Sequence, residues 1–299
     1  MKCINKWICL SLLIAVSCVS GCGKTSAAIE QPYDVYATAA DFGLSSNGTA
    51  EAKSYFASNL CVSEDVAIGT DSTDSQVAEG AGTFNLETNT VVYAKNLYER
   101  LYPASTTKIL TAYIALKYCD DLDAMVTVSE NAVNQASDSS VCNLKAGDVI
   151  RLRDLLYGLM LRSGNDAAVA IAEYISGDVD SFAALMNQEA AAMGATRSHF
   201  VNPNGLPDEN HYTCVYDMYL IFSNAIKNDT FVSIIGTTSY DVTYTDASGE
   251  AVTHTWENTN QYLTGNATTP DGFQIVGGKT GTTGEAGYCL VLYSYNPSG

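Results

Sequence analysis

The stretch Tyr102-Pro103-Ala104-Ser105-Thr106-Thr107-Lys108-Ile109-Leu110-Thr111-Ala112 decides the fold. Pro103 is typical of the residue that opens a helix, and the apolar residues after it predict a helix over residues 105–118. These apolar residues lie on nearly every side of that helix, so we expect it to be buried in the centre of a domain. Ser105 and Lys108 share one helix face, which places the lysine amine within reach of the serine hydroxyl.

This serine–lysine pair has the composition of a nucleophile and its activating base. Burial disfavours the charged form of a lysine, and a neutral Lys108 can accept the proton of Ser105 at ordinary pH. The helix N-terminus adds backbone N–H groups and a positive dipole where an oxyanion would form. A capping serine followed by a surface lysine is the commoner meaning of S-x-x-K, but it fits poorly on a helix this apolar. We therefore expect Ser105 to be the nucleophile and Lys108 its base.

A second short motif, Ser163-Gly164-Asn165, lies between two predicted helices. Serine, glycine and asparagine are ordinary turn residues, so the motif alone does not require a function. As a partner of Ser105 and Lys108, it would supply a hydroxyl for proton relay and a side-chain amide.

The third motif, Lys279-Thr280-Gly281, lies in a predicted strand that opens with Gly277-Gly278. Glycines inside a strand usually mark the close approach of another backbone, and we expect a peptide substrate along this edge to be that backbone. After Arg197 the sequence contains only two cations, Lys227 and Lys279. Lys279 is therefore the best candidate to attract a substrate carboxylate.

Predicted strands lie at both ends of the compact part of the chain, with helices between them. Two short strands are predicted within residues 81–93 around the turn Glu87-Thr88-Asn89, and residues 274–283 and 288–295 predict a hairpin. After Phe231 the pattern changes from helix to strand. This order predicts an α+β domain whose ends meet in one antiparallel sheet, with a helical subdomain between them. The helices are predicted over residues 105–118, 152–161, 166–175, 179–193 and 215–226.

The first residues have the layout of an export signal, because Lys2 and Lys6 precede an apolar run over residues 7–19. This run is short for a membrane span. It ends in Val19-Ser20-Gly21-Cys22-Gly23, which resembles the lipobox of bacterial lipoproteins, so we expect a signal peptide over residues 1–21 and a lipid on Cys22. An ordinary signal peptide and an uncleaved anchor are the alternatives. In each case the body of the protein lies outside the cytoplasm.

The rest of the chain divides into a tether and a compact domain. Residues 22–59 are rich in Ala, Ser, Thr and Asp without a sustained apolar period, which is typical of a tether, and residues 60–299 form the predicted domain. The sequence ends in Asn296-Pro297-Ser298-Gly299, a turn signal with no strand after it. We therefore expect a fragment that lacks at least one further strand, with or without a C-terminal domain.

Composition argues against several classes of function. With a net charge of -18 and a pI near 4.3, the 299-residue chain lacks the basic face that binding to nucleic acid requires. Of the nine cysteines, three fall in the leader and Cys22 is the lipid site, and no C-x-x-C pair remains. We expect most of the other five to be buried thiols. His199 and His211 lack ligand spacing and are not expected to act directly in catalysis, and no metal or cofactor is expected.

The three motifs in this order resemble the signature of penicillin-binding proteins and class A β-lactamases. The sequence around them is similar, more specifically, to the low-molecular-mass D-alanyl-D-alanine carboxypeptidases, over roughly residues 60–299. Four flanking stretches carry this likeness: Tyr102-Pro103-Ala104, Leu144-Lys145-Ala146-Gly147-Asp148, Leu155-Leu156-Tyr157-Gly158-Leu159 and His199-Phe200-Val201-Asn202-Pro203-Asn204-Gly205-Leu206.

The resemblance implies the transpeptidase fold of penicillin-binding proteins and serine β-lactamases. It implies a serine D,D-carboxypeptidase that removes the terminal D-alanine from peptidoglycan stem peptides through an acyl-enzyme, with β-lactam antibiotics as inhibitors. The enzyme would be held by its lipid at the outer face of the cytoplasmic membrane of a bacterium. The backbone N–H groups of Ser105 and Thr282 would form the oxyanion hole. The implied catalytic residues are Ser105, Lys108 and Ser163, and the implied substrate-binding residues are Asn165, Lys279, Thr280, Gly281 and Thr282.

Two alternatives share the same nucleophile. A β-lactamase needs a carboxylate-activated water for fast deacylation, and no E-x-x-L-N element of the class A kind lies between the second and third motifs. Asp208 and Glu209, which lie there, are expected to be surface turn residues. A β-lactam sensor needs further membrane segments, and no apolar run beyond the leader is long enough. The sequence departs from some relatives at Asn258-Thr259-Asn260, where they carry an arginine that helps to hold the substrate carboxylate.

Overall fold

The computed structural model describes residues 57, 59–69 and 77–297. The expected leader, the lipid site Cys22 and nearly all of the expected tether lie outside these residues. A compact unit begins at Asn59. Within the described part of the chain, no helix combines the length and the apolar character that crossing a membrane requires.

The described residues contain eight strands and seven α-helices. A short 3-10 helix, Ala104–Thr107, comes directly before the first α-helix. The strands are β1 (Ala81–Asn85), β2 (Thr90–Lys95), β3 (Met125–Thr127), β4 (Val149–Arg151), β5 (Ser239–Thr245), β6 (Ala251–Glu257), β7 (Gln274–Thr283) and β8 (Gly287–Tyr295). The α-helices are α1 (Lys108–Tyr118), α2 (Glu130–Val133), α3 (Leu152–Leu161), α4 (Asn165–Ser176), α5 (Val179–Ala192), α6 (Val215–Ala225) and α7 (Asp229–Ile235).

The helices predicted in the middle of the chain are confirmed, and apart from the serine motif their ends differ from prediction by at most one residue. The prediction of strands directly after Phe231 is wrong, because α7 continues to Ile235. Asn228 caps this helix by accepting hydrogen bonds from the backbone N–H groups of Thr230 and Phe231. Phe231, Ile234 and Ile235 are buried at helical spacing, and their burial stabilises a helix where we predicted a strand.

The strands form three antiparallel sheets rather than one. β1 pairs with β2, the strands from β3 to β6 form a four-stranded sheet, and β7 pairs with β8. The prediction that the two ends meet in one sheet is therefore wrong for the described residues. The β1–β2 hairpin packs on α6 instead, where the ring of Phe84 stacks on Tyr219 with centroids 4.2 Å apart. Phe84 and Val91 of the hairpin are partly buried against Tyr219 and Leu220 of this helix, so the hairpin is stabilised without pairing to β7 or β8.

Helix α1 lies at the centre of the core, as its composition predicts. Ile109, Leu110 and Ile114 are fully buried, and each contributes about 1.5–3 kcal/mol of burial free energy. The polar residues Lys108 and Thr111 are buried on the same helix. Helices α3, α4, α5 and α6 all pack against α1. Side chains at its start are therefore held in position by packing from several directions.

The five cysteines of the described residues are free thiols, and three of them are buried as expected: Cys61, Cys142 and Cys214. Cys119 and Cys289 are partly exposed. Among the described residues, no group of three or more His, Cys, Asp or Glu side chains could hold a metal ion.

Candidate active site

Ser105 lies on the 3-10 turn that leads into α1, and Lys108 is the first residue of α1. The predicted helix thus begins as a 3-10 helix, in which the backbone N–H of Lys108 donates to the carbonyl oxygens of Ser105 and Thr106. The two side chains meet, with Lys108 Nζ 2.9 Å from Ser105 Oγ. The contact expected from their spacing is present.

The amine of Lys108 is fully buried and has three oxygen partners. Besides Ser105 Oγ, it lies 2.8 Å from Asn165 Oδ1 and 2.7 Å from the carbonyl oxygen of Asn204. Burial lowers the pKa of Lys108 well below its usual range, and the charge of Lys279 lowers it further. A neutral amine has two N–H groups and one lone pair. Because carbonyl oxygens only accept, Asn165 and Asn204 take both N–H groups and the lone pair is left for the hydroxyl of Ser105.

Residues 199–213 wrap around the start of α1. Within this segment the carbonyl oxygen of Asn204 accepts from Lys108. Gly205 follows with a φ of +88°, and a Cβ built on it would lie 1.8 Å from the carbonyl oxygen of Ala104. Both the left-handed backbone and this close approach exclude a side chain, so glycine is required here. The segment is therefore pressed directly against the serine turn.

His211 links the same segment to the serine turn. Its imidazole is fully buried, Nδ1 accepts from the backbone N–H of Val201 at 3.1 Å, and Nε2 lies 2.9 Å from Thr107 Oγ1. Burial lowers the pKa of His211 to about 4, so the ring is neutral at physiological pH. Because Nδ1 accepts a hydrogen bond, Nε2 carries the proton and donates it to Thr107. The histidine thus supports the turn that carries Ser105.

The second motif connects the two buried lysines. Asn165 is the first residue of α4 and accepts from Lys108, whereas Ser163 Oγ accepts from Lys279 Nζ at 3.0 Å. Ser163 has a φ of +58°, a left-handed conformation that is unfavourable for a residue other than glycine. Ala104, directly before the nucleophile, has a φ of +47°. Strained backbone therefore occurs within the second motif and directly before the first, which no sequence pattern indicated.

Lys279 approaches Ser163 from β7 and is buried. Its amine also donates to the carbonyl oxygen of Thr280 at 2.7 Å. Burial lowers the pKa of Lys279 to about 7, so this lysine changes its charge near physiological pH. Gly281 lies against the nucleophile, since a Cβ built on it would lie 2.9 Å from the backbone nitrogen of Ser105. Strand β7 thus closes the site opposite α1.

The other glycines of β7 have an intramolecular explanation. A Cβ on Gly277 would lie 2.7 Å from the carbonyl oxygen of Ile235, and one on Gly278 would lie 2.1 Å from that of Val291. The close approach expected from these glycines is made by the protein's own chain. Our inference that they mark the backbone of a peptide substrate is therefore wrong, because internal packing already requires them.

The remaining predicted residues lie on the more exposed part of β7. Thr280 Oγ1 is 2.7 Å from Thr259 Oγ1, and Thr282 is exposed. Asp208 and Glu209 are exposed turn residues, as expected. The structure joins five of the eight predicted site residues by side-chain hydrogen bonds: Ser105 and Asn165 to Lys108, and Ser163 to Lys279.

Sequence reasoning missed three contributors to the site. Asn204 acts through its backbone carbonyl, for which no side-chain pattern exists. His211 was expected to stay outside direct catalysis, and its link to Thr107 depends on the folding of a distant segment. Asp166 directly follows the second motif and is buried. A carboxylate in the first turn of an otherwise apolar helix was a signal that could have found it.

An S-x-x-K helix that faces a K-T-G strand across an S-x-N turn is the arrangement of penicillin-binding proteins and serine β-lactamases, and the chain falls into this class. Comparison with known proteins narrows the class. The model of the peptidase S11 family, described as D-alanyl-D-alanine carboxypeptidase, matches residues 69–296. The chain belongs to this family of low-molecular-mass penicillin-binding proteins, and the family predicted from the motifs is confirmed.

Two curated relatives illustrate the similarity. The chain is 35% identical over 218 residues to D-alanyl-D-alanine carboxypeptidase DacF of Bacillus subtilis (strain 168), which covers 71% of this chain and 53% of that protein. It is 37% identical over 225 residues to the D-alanyl-D-alanine carboxypeptidase of Streptomyces sp. (strain K15), which covers 72% of this chain and 75% of that protein. The chain thus spans about half the length of the Bacillus relative.

Solved structures confirm the fold class. The crystal structure of the Streptomyces K15 DD-transpeptidase has a TM-score of 0.66 at 35% identity and covers 73% of this chain and 84% of that chain. The D-alanyl-D-alanine carboxypeptidase DacD from Francisella tularensis has a TM-score of 0.66 at 29% identity and covers 79% of this chain and 67% of that chain. The predicted α+β transpeptidase-like fold is therefore correct.

Proposed function

We propose that this protein is a serine D,D-carboxypeptidase that removes the terminal D-alanine from peptidoglycan stem peptides through an acyl-enzyme on Ser105. The observation that carries the proposal is the amine of Lys108. It is buried, lies 2.9 Å from Ser105 Oγ, and binds two other groups that can only accept hydrogen bonds. Membership of the D-alanyl-D-alanine carboxypeptidase family supports the choice of substrate.

Acylation begins at Ser105. Its Oγ attacks the carbonyl carbon between the two terminal D-alanines while its proton passes to the neutral amine of Lys108. The backbone N–H groups of Ser105 and Thr282 stabilise the negative charge that develops on the carbonyl oxygen. The close contact between Gly281 and the nitrogen of Ser105 supports this assignment, since it brings β7 next to the nucleophile. Lys108 then returns this proton through the hydroxyl of Ser163 to the leaving nitrogen, the C–N bond breaks, and D-alanine departs while the amine of Lys108 becomes neutral again.

Substrate recognition uses both sides of the cleft. Lys279 and Thr280 hold the terminal carboxylate, and Asn165 binds the amide of the preceding residue. Two observations support these roles. The Nδ2 of Asn165 makes no hydrogen bond within the described residues, so it can donate to a substrate carbonyl. The edge of β7 away from β8 has no strand partner within the described ranges, so an extended peptide can lie along it.

Deacylation completes the cycle. Water attacks the ester carbonyl and gives a proton to Lys108. Lys108 passes this proton to Ser105 Oγ as the ester C–O bond breaks, so the Ser105 hydroxyl is restored and the shortened peptide leaves. If the amine of a second stem peptide replaces water, the same acyl-enzyme yields a cross-link. The Streptomyces K15 relatives are named D-alanyl-D-alanine carboxypeptidase in one case and DD-transpeptidase in the other. Penicillins would acylate Ser105 and remain bound, because they mimic the terminal dipeptide.

We place this activity outside the cytoplasm, with the enzyme tethered by a lipid on Cys22. The basic residues and apolar run before Cys22 support export, and the lipobox-like sequence supports lipidation. Mass spectrometry of the protein from membranes tests this, because a diacylglycerol on Cys22 has a defined mass and Cys22→Ser would abolish it.

The decisive experiment incubates the full chain and its Ser105→Ala variant with a pentapeptide that ends in D-Ala-D-Ala and measures free D-alanine. We expect release by the parent protein and none above background by the variant. Absence of release together with rapid turnover of penicillin would show a β-lactamase instead. Both proteins are also incubated with fluorescent penicillin, which reports acylation independently of the peptide.

A further inference from the structure

Asp166 is a buried carboxylate that the proposed mechanism does not use. It lies in the first turn of α4, directly after Asn165, and is 1% exposed. Its partners are backbone N–H groups: Cys142 at 2.9 Å, Leu144 at 3.1 Å and Ala167 at 2.8 Å. Among the described residues it forms no ion pair. Burying a carboxylate costs free energy unless hydrogen-bond donors compensate for it. The three backbone N–H groups do so here, which indicates a site built to hold this carboxylate.

The hydrogen bonds of Asp166 tie a separate segment to the second motif. Cys142 and Leu144 lie before β4, more than one element away from α4 along the chain. The same segment also accepts the backbone N–H of Asn165, whose donor nitrogen lies 2.8 Å from the carbonyl oxygen of Ser140. Asn165 is thus held from both sides, through its own backbone and through its neighbour's carboxylate. Its Oδ1 is the group that accepts from Lys108.

The charge of Asp166 acts on the amine of Lys108 as well. The charged or titratable groups that affect this lysine are Lys279, Cys142 and Asp166, and His211 lies close enough for the lysine to affect it in turn. Cys142 is fully buried, and burial raises the pKa of its thiol well above its usual range, so it carries no charge at neutral pH. His211 is neutral for the same physical reason. Asp166 raises the pKa of Lys108, opposite in direction to Lys279, although its effect is smaller than those of burial and Lys279.

We propose that Asp166 is a positioning residue for catalysis, because its carboxylate locks the Ser140–Leu144 segment to the start of α4 and thereby holds Asn165 against Lys108. This inference rests on the proposed role of Lys108 as the base. It adds Asp166 to the second motif, directly after Asn165. It also gives a role to the Ser140–Leu144 segment, which lies about twenty residues earlier in the sequence.

The test compares Asp166→Asn with a matched control, Asp217→Asn, in the full chain. Asp217 lies in the first turn of α6, is 2% exposed, and likewise accepts from a backbone N–H, that of Arg197 at 2.7 Å. Both variants remove a buried negative charge and should lower the melting temperature. Asp166→Asn also turns an amide N–H toward a backbone N–H, because both oxygens of Asp166 accept hydrogen bonds. The readouts are the rate of acylation by fluorescent penicillin as a function of pH and the titration of Lys108 by NMR with lysine labelled at Cε.

The pH profile of acylation has a maximal rate, the plateau, and a part below it where the rate falls as the pH is lowered, the acidic limb. For Asp166→Asn we expect the plateau rate to fall about 10- to 100-fold, because Asn165 and Lys108 lose their alignment. Loss of the negative charge destabilises the ammonium form, so Lys108 should titrate at lower pH and the acidic limb of the acylation rate should move with it. Asp217→Asn should leave the plateau, the limb and the Lys108 titration unchanged.

Two results would overturn the proposal. One is an Asp166→Asn protein with the plateau and Lys108 titration of the parent. The other is an Asp217→Asn protein with the same losses as Asp166→Asn, since the effect would then follow stability alone. The NMR titration does not depend on turnover, so the inference is decided even if the parent protein releases no D-alanine. A parent protein that releases no D-alanine would contradict the proposed substrate, but it would leave the proposed role of Asp166 unaffected.

Discussion

The helical side and the strand side of the active site are built in opposite ways. On the helical side, Lys108, Ser163 and Asn165 are buried among helices that pack on one another from several directions. On the strand side, β7 and β8 pair only with each other within the part of the chain that the structure describes, and Tyr288 on β8 is 95% exposed. Groups that transfer protons require fixed distances, which dense packing provides. Groups that bind a peptide require an accessible edge, which a small sheet provides.

The two buried lysines, Lys108 on the helical side and Lys279 on the strand side, differ in how far their pKa values are lowered. Lys108 contacts Ser105, Asn165 and Asn204, and its pKa falls well below the usual range because burial and Lys279 act together. For Lys279, burial alone lowers the pKa, to about 7. The first lysine is therefore suited to accept a proton, whereas the second keeps part of its charge at neutral pH for a carboxylate.

The largest expected effect is on the helical side. Lys108→Arg should lower the rate of acylation by fluorescent penicillin by about a thousandfold or more, because arginine cannot act as a base at neutral pH. The matched control is Lys117→Arg, on the exposed end of the same helix, where an arginine can keep the ion pair with Glu189. Labelling of Lys108→Arg at the parent rate would show that Lys108 is not the base, and the contrast between Lys108 and Lys279 would no longer hold.

The next effect tests whether packing density really differs between the two sides. Leu156→Ala removes a fully buried side chain of α3 and should lower the free energy of unfolding by about 2–5 kcal/mol. Leu290→Ala, on β8, removes a side chain that is 48% exposed and should cost about 1 kcal/mol or less. Urea denaturation of both variants measures the difference. Equal losses would mean that the two-stranded sheet is as tightly packed as the helical core.

A third prediction concerns the contact between the two sides. Gly281→Ala places a Cβ 2.9 Å from the nitrogen of Ser105 and should slow acylation about 10- to 100-fold by separating β7 from the nucleophile. Gly284→Ala, in the turn of the same hairpin, has no atom within 4 Å of the new Cβ and serves as the control. Stopped-flow acylation measures both. Unchanged kinetics in Gly281→Ala would mean that β7 tolerates displacement from the nucleophile.

The smallest expected effect is the pH dependence of substrate binding. The pKa of Lys279 is lowered to about 7, so its ammonium is present below this pH and is lost as the pH rises through it. We expect kcat/KM for the D-Ala-D-Ala peptide to fall about tenfold from one unit below to one unit above that value, since the carboxylate loses its cation. Lys279→Gln should abolish this basic limb. A basic limb that persists in the variant would assign it to another group.

Much of the helical side could be predicted from the sequence, because its information is local. The boundaries of α3 to α6 follow from apolar residues at helical spacing, and the reach from Lys108 to Ser105 follows from their separation along one helix. The strand side was predicted less well. The hairpin of β7 and β8 is present, but the glycines assigned to a substrate backbone serve contacts with Ile235 and Val291 instead.

By itself the sequence determined the family, the three motifs and the chemical type of each candidate residue, since these depend on residue identity and short-range spacing. Tertiary structure decided which groups meet: Lys279 reaches Ser163 across 116 residues, and Lys108 reaches the carbonyl oxygen of Asn204 across 96. It also placed the strands in three sheets and buried Asp166 beside the second motif. Such contacts depend on how all the elements pack together, so no local pattern along the chain encodes them.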